Sequence, residues 1–263
     1  MFISLCVMLC SGAAAGGLDK ASVNDWLPSV QQISGFAGRV NAVAEKSLGT
    51  PYADSPLGEG PEGTHDTDPK MDLSRVDCVT FVEQTVALAA SADYDAAYGL
   101  LQKVRYKDGK ETFAGRNHFL EADWLRDNPW CVDITDKLGV KTERVTRTIS
   151  RKAFFPKVNA PELGQDLPDE SVTVTCIPVG QVAAAEAKLP DVALVLFVGK
   201  VDWLFALHCG IFLRDASGAG HLYHASSKAG SVAKVSLSGY ASEQSTRYMG
   251  ISVHSMAEPV LED

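Results

Sequence analysis

An α+β fold is predicted, because helical periodicity fills the first half of the chain while alternating, β-branched runs fill the second. A hairpin near the end of the chain strengthens the reading. Val23 to Leu48 carries a mostly helical pattern, interrupted around Ser34-Gly35. A second helix opens at Asp77-Cys78-Val79-Thr80-Phe81-Val82-Glu83. Its apolar residues recur at Val79, Val82, Val86, Ala89 and Ala90, and the run ends near Ser91-Ala92-Asp93. Tyr94 to Arg105 follows with Tyr98, Leu101 and Val104 near helical spacing. A long insertion, about 106–139, holds Trp124, Trp130 and the helix-like stretch Phe119 to Arg126. Val140 to Ile149, Val172 to Val179 and Val192 to Val198 read as strands. Leu207 to Leu213 and Leu222 to Ser227 are two more, joined by the turn Asp215 to Gly220.

At 263 residues and 46% hydrophobic, the chain can bury one substantial core without a second domain. The organisation expected is a signal segment, 1–17, then one domain, 18–263. A balance of 24 basic against 33 acidic residues, net −9, argues against generic nucleic-acid binding. Glu59, Glu62, Asp66 and Asp68 cluster among the prolines and glycines of Asp54 to Asp72, which reads as a solvated loop. Phe2 to Leu9 is apolar but too short to span a bilayer, and Ser11 to Gly17 supplies the small residues of a cleavage site. Export to the periplasm is expected although the basic n-region is missing. Lipid anchoring at Cys10 is the lesser alternative, since Val7-Met8-Leu9 lacks the small residue expected before a lipoprotein cysteine.

The chemistry concentrates on three residues. Cys78 sits in the first turn of its helix, where unpaired N–H groups and the helix dipole favour a thiolate and pull the pKa below the free value of about 8.5. His208 and His224 lie one on each strand of the hairpin, so pairing can bring the imidazoles together, and Gly210 would leave space beside His208. A thiol nucleophile needs a base, and the base needs a partner to fix its ring. Cys78, His208 and His224 can fill these roles. Loss of Cys6 and Cys10 with the signal leaves Cys131, Cys176 and Cys209 beside Cys78. Export would permit a Cys131–Cys176 bridge, but an odd number cannot all pair. Zinc is the competing chemistry. His221 and His224 fall on opposite faces of an ideal strand, and no His-Glu-x-x-His helix is present.

These motifs, with His208-Cys209-Gly210-Ile211-Phe212 and His224-Ala225-Ser226-Ser227, resemble the NlpC-type superfamily of papain-like bacterial cell-wall cysteine hydrolases. The N-acetylmuramoyl-L-alanine amidase-like branch is the nearer match, because it carries an insertion resembling Gly115-Arg116-Asn117-His118-Phe119 followed by Asp123-Trp124. The resemblance covers roughly residues 30–254. It implies a papain-like fold, with the nucleophile helix packed on an antiparallel sheet that carries the histidines and an inserted substrate-recognition segment. It also implies Cys78 as nucleophile, His208 as base, His224 as orienting residue, and no metal or cofactor. The bond implied is the amide between N-acetylmuramic acid and L-alanine, in peptidoglycan or its muropeptide fragments. Two departures stand out: Cys209 replaces a usual aliphatic residue, and Pro190-Asp191 replaces a Gly-Asp pair.

Arg116, Asn117 and His118 are expected to bring donors to the substrate, and Trp124 a ring that stacks on a sugar. Asp77 reads either as a helix cap or as a group recognising a substrate amide, while Ser226 and Ser227 fall near the cleft. Three alternatives remain: a γ-D-glutamyl endopeptidase, which the same triad would serve, a zinc amidase, and a non-catalytic glycan-binding module.

Overall fold

The computed structural model describes residues 18–215 and 217–259. The expected signal segment, with Cys6 and Cys10, lies outside the described residues. Four helices come first: α1 (Lys20–Gln31), α2 (Phe36–Lys46), α3 (Cys78–Ala89) and α4 (Tyr94–Arg105). The break between α1 and α2 uses Gly35 at φ 77°, a conformation that costs glycine little. Asp19, Asp77 and Asp93 cap α1, α3 and α4 by accepting a backbone N–H three residues on, which satisfies a donor each helix start would otherwise leave unpaired.

The strands are β1 (Cys131–Asp133), β2 (Glu143–Ile149), β3 (Glu170–Pro178), β4 (Val192–Gly199), β5 (Ala206–Arg214), β6 (Gly220–Ser226), β7 (Ser231–Val235) and β8 (Tyr248–Met256). They form an antiparallel sheet ordered β2-β3-β8-β4-β5-β6-β7, with β1 added to β8. Sequence reading gave no strand over 248–256, yet β8 is central, pairing β4 from Ala193↔Ser255 onward. Every residue of β4 is buried because both faces of the sheet are covered. Val192, Leu194 and Leu196 meet the core under α3, and Ala193, Val195 and Phe197 meet the core under the helices Val182–Glu186 and Leu237–Glu243.

Helix α3 is buried from Thr80 through Ala89 and packs on β5 and β6, which fixes Cys78 against the hairpin. A polar network ties this helix to the insertion. Arg105 Nη1 donates to Glu83 Oε2 at 2.6 Å and Trp124 Nε1 to Glu83 Oε1 at 3.0 Å. The acidic segment 54–72 is irregular as expected but not simply solvated. Glu59 is buried, and its Oε1 accepts from Arg116 Nε at 2.9 Å, Arg116 Nη2 at 2.6 Å and the Tyr106 hydroxyl at 2.9 Å. These three donors offset the cost of burying the carboxyl group. Cys131 and Cys176 are free thiols, so the bridge that export would permit is not formed.

Candidate active site

Cys78, His208 and His224 converge. Asp77 Oδ1 accepts the Thr80 N–H at 2.7 Å while Thr80 Oγ1 accepts the Asp77 N–H at 2.9 Å, so a reciprocal cap sets the start of α3. The cap reading of Asp77 is the one its contacts fit. Burial and the adjacent Cys78 charge push its carboxyl up to about 6. The Cys78 thiol is held well below its ordinary range by hydrogen bonding with the Cys209 thiol and then with His208, against the opposing effect of burial. Cys209, on the face of β5 turned to α3, also donates to the Cys78 carbonyl at 3.2 Å.

His208 Nε2 lies 2.8 Å from His224 Nδ1. The contact leaves His208 Nδ1 for Cys78. Burial, followed by the neighbouring His208 charge, pushes His224 down to about 3, so it is neutral and its Nδ1 accepts from His208. Phe197 and Tyr240 wall the pair: the Tyr240 ring centroid is 4.6 Å from that of His224 and 5.8 Å from that of His208. Gly210 creates the room, although beside His224 rather than His208. A Cβ there would stand 2.7 Å from the Tyr223 carbonyl and 2.9 Å from the His224 Cβ. Gly210→Ala is therefore expected to cost about 1–3 kcal/mol and to lengthen the imidazole contact. Denaturation and a crystal structure of the variant test this, and an unchanged midpoint with an unchanged contact would contradict it.

The expected substrate-binding set fares differently. Trp124 is only 1% exposed, packed edge-on to Trp130 and hydrogen-bonded to Glu83, so its ring is not a platform for a sugar. Arg116 is committed to Glu59 and to Asp66, at 2.8 Å. His118 lies 2.7 Å from the Phe113 carbonyl among Phe113, Phe154 and Phe155, and burial pushes it down to about 4, keeping it neutral. Asn117 reaches the Val104 carbonyl at 3.5 Å. Arg116, Asn117 and His118 line a cavity of about 420 Å³ in the insertion, whose walls do not include Cys78, His208 or His224. Ser226 accepts the Ala229 N–H at 3.1 Å and so closes the β6–β7 turn, while Ser227 is exposed there.

Sequence reasoning missed Tyr240, which lies on the unanticipated helix Leu237–Glu243, and Tyr52, hidden in the irregular stretch that enters the acidic loop. Tyr52 donates to Asp54 at 2.7 Å, and its hydroxyl pKa is raised by burial, then by Asp54, Cys78 and Asp77. Among the described residues no group of three His, Cys, Asp or Glu side chains is arranged to hold a metal ion.

No curated protein matches the chain. In a crystal structure, a protein of Legionella pneumophila is similar at TM-score 0.80 and 21% identity, over 92% of this chain and 96% of that one. An N-acetylmuramoyl-L-alanine amidase from Bacteroides uniformis is similar at TM-score 0.65 and 26% identity, over 83% and 98%. A Bacteroides fragilis protein described as a xylanase is similar at 0.63 and 24%, over 82% and 100%, so likeness of fold alone does not decide activity. The family model described as N-acetylmuramoyl-L-alanine amidase-like matches residues 42–250. With that match spanning most of its length, the chain belongs to the N-acetylmuramoyl-L-alanine amidase-like family.

Proposed function

We propose that this protein is a cysteine-dependent peptidoglycan amidase that hydrolyses the bond between N-acetylmuramic acid and L-alanine. The observation that carries the reading is a thiol of lowered pKa at a capped helix start, next to an imidazole whose far nitrogen is 2.8 Å from a neutral second imidazole. Family membership supplies the substrate class. The arrangement is papain-like, with a helix-borne nucleophile against a sheet-borne base. The domain runs from about residue 18, and its substrate lies outside the cytoplasm, which suits an exported, periplasmic protein with 1–17 as signal.

Cys78 Sγ attacks the lactyl carbonyl carbon, and the oxyanion faces the unpaired N–H groups at the start of α3. His208, protonated at Nδ1 by the thiol, gives that proton to the departing L-alanine nitrogen as the C–N bond breaks. Water then loses a proton to His208 and attacks the thioester, and the thiolate leaves. His224 accepts from His208 Nε2–H throughout, which fixes the ring and stabilises the imidazolium.

A product assay on a muramyl-tripeptide beside the matching free tripeptide tests the reading. Release of intact L-alanine-led peptide from the muramyl-tripeptide is expected, with no turnover of the free tripeptide, which lacks the muramyl–alanine amide. Cleavage after D-glutamate in both would make this an endopeptidase. Activity that resists alkylation and yields to a chelator would assign it to zinc. Glycan binding without turnover would make it a module.

A further inference from the structure

Amide hydrolysis by Cys78, His208 and His224 leaves a second thiol beside the nucleophile without a chemical role. Cys209 follows His208 on β5 and alternates to the sheet face that carries α3. There its Sγ donates to the Cys78 carbonyl at 3.2 Å, and its thiol and backbone N–H also lie within hydrogen-bonding reach of the Cys78 sulfur. Away from Cys78, its surroundings include Val79, Val82, Leu120 and Leu194, an apolar wall. Cys209 is 1% exposed, whereas Cys78 is only half-buried. A small solute therefore meets Cys78 first.

The two thiols also differ in readiness to react. Cys78 is held low, so it offers a thiolate, while Cys209 is held well above its ordinary range, first by its hydrogen bond to Cys78 and then by burial and the charges of Cys78, Asp77 and Glu83. Oxidation of Cys78 to a neutral sulfenic acid would remove the anion that chiefly keeps Cys209 protonated. The second thiol then ionises more easily, with an electrophilic sulfur beside it. Cys131 and Cys176 lie elsewhere as buried free thiols, and burial pushes both up.

We infer that Cys78 and Cys209 form a reversible oxidation site: a hydroperoxide oxidises Cys78, and Cys209 captures the product as a Cys78–Cys209 disulfide. With hydrogen peroxide, the Cys78 thiolate attacks one oxygen, an S–O bond forms, the O–O bond breaks, and the departing hydroxide takes a proton from the His208 imidazolium to leave as water. The Cys209 sulfur then attacks the sulfenic sulfur, the S–O bond breaks, and hydroxide leaves as a second water with the Cys209 proton. Each thiol loses one electron, and the peroxide gains two. A small dithiol restores both thiols by two exchange steps, itself becoming a disulfide. Helix α3 packs on β5, so the capture is local. The disulfide silences the nucleophile and spares it further oxidation to sulfinic acid, which a dithiol does not reverse.

The test reads peptide mass and thiol recovery on the full chain, so its outcome does not depend on which amide is cut. Reduced protein is exposed to hydrogen peroxide, with and without the sulfenic-acid trap dimedone, then digested for mass spectrometry. A second portion receives dithiothreitol, and returned Cys78 thiol is measured by iodoacetamide labelling. The parent should yield peptides joined through Cys78 and Cys209 and recover nearly all of its Cys78 thiol. Cys209→Ser keeps a hydrogen-bond donor beside Cys78, so peroxide should consume its Cys78 at a rate within about threefold of the parent. Without a resolving thiol, however, Cys78 should be trapped by dimedone and, on prolonged exposure, pass to sulfinic acid, with recovery about tenfold lower. Cys209→Val should lose recovery in the same way without burying a hydroxyl, and the joined peptide of the parent carries the proposal even where a variant folds poorly. Three results would overturn it: Cys78 of the parent joined to no cysteine or to another one, sulfinic acid forming as fast in the parent as in Cys209→Ser, or full recovery in both variants.

Discussion

Cys78→Ala is expected to abolish turnover, by a factor on the order of 10⁵–10⁶ in kcat, while leaving the fold intact. The fold should persist because the cap of α3 belongs to Asp77 and Thr80 and the packing of α3 to Phe81 onward, not to the thiol. In the parent, iodoacetamide should modify Cys78 at pH values well below the ordinary thiol range, since Cys209 and His208 both favour its thiolate. His208→Ala should be nearly as severe, because it removes proton acceptor and proton donor together, and it should also move the alkylation profile toward higher pH. His224→Ala should retain more, with a loss of about 10²–10⁴-fold, because water can partly orient His208. The sign of the pH dependence follows. His224 is neutral above about pH 3, so an acid limb at higher pH reports protonation of the Cys78 thiolate. Rates of substrate hydrolysis against pH, measured beside alkylation, check all of this. Small and equal losses in the three variants would remove the triad from the mechanism.

The residues with chemistry were legible because their signals are local. Helical spacing after Cys78 places it in a first turn, and strand alternation places His208 and His224 on a hairpin, so the convergence of the pair needed no tertiary information. What could not be read was set by distant partners. Arg116 looks like a free donor until Glu59, 57 residues earlier, is found against it, and Trp124 looks like a platform until Glu83 accepts its N–H from 41 residues away. Strand β8 escaped for a related reason. Ser252 and His254 are almost wholly buried in it, so a central strand carries polar residues that a pattern search reads as solvent-facing. The useful lesson concerns donors and aromatic rings in insertions: residue type names a capability, and burial decides whether a ligand can use it.

Arg105→Met is expected to destabilise the protein by about 3–5 kcal/mol, lowering Tm by roughly 10 °C. The Glu83 and Arg105 side chains are 3% and 5% exposed, and burial works to protonate Glu83 while the facing guanidinium opposes it. Removing the cation leaves a carboxylate among Trp124, Val79 and Cys209 with one indole N–H for company. The pair also joins α3 to α4, and Arg105 Nη2 donates to the Leu57 carbonyl at 3.2 Å, so the loss loosens the acidic segment from the nucleophile helix. Adding Glu83→Gln to Arg105→Met should recover part of the stability, because a neutral amide is cheaper to bury and its oxygen still accepts from Trp124. Urea denaturation of parent, single and double variants measures the three values. A single variant as stable as the parent, or a double variant less stable than the single, would show that the pair is not what holds α4 to α3.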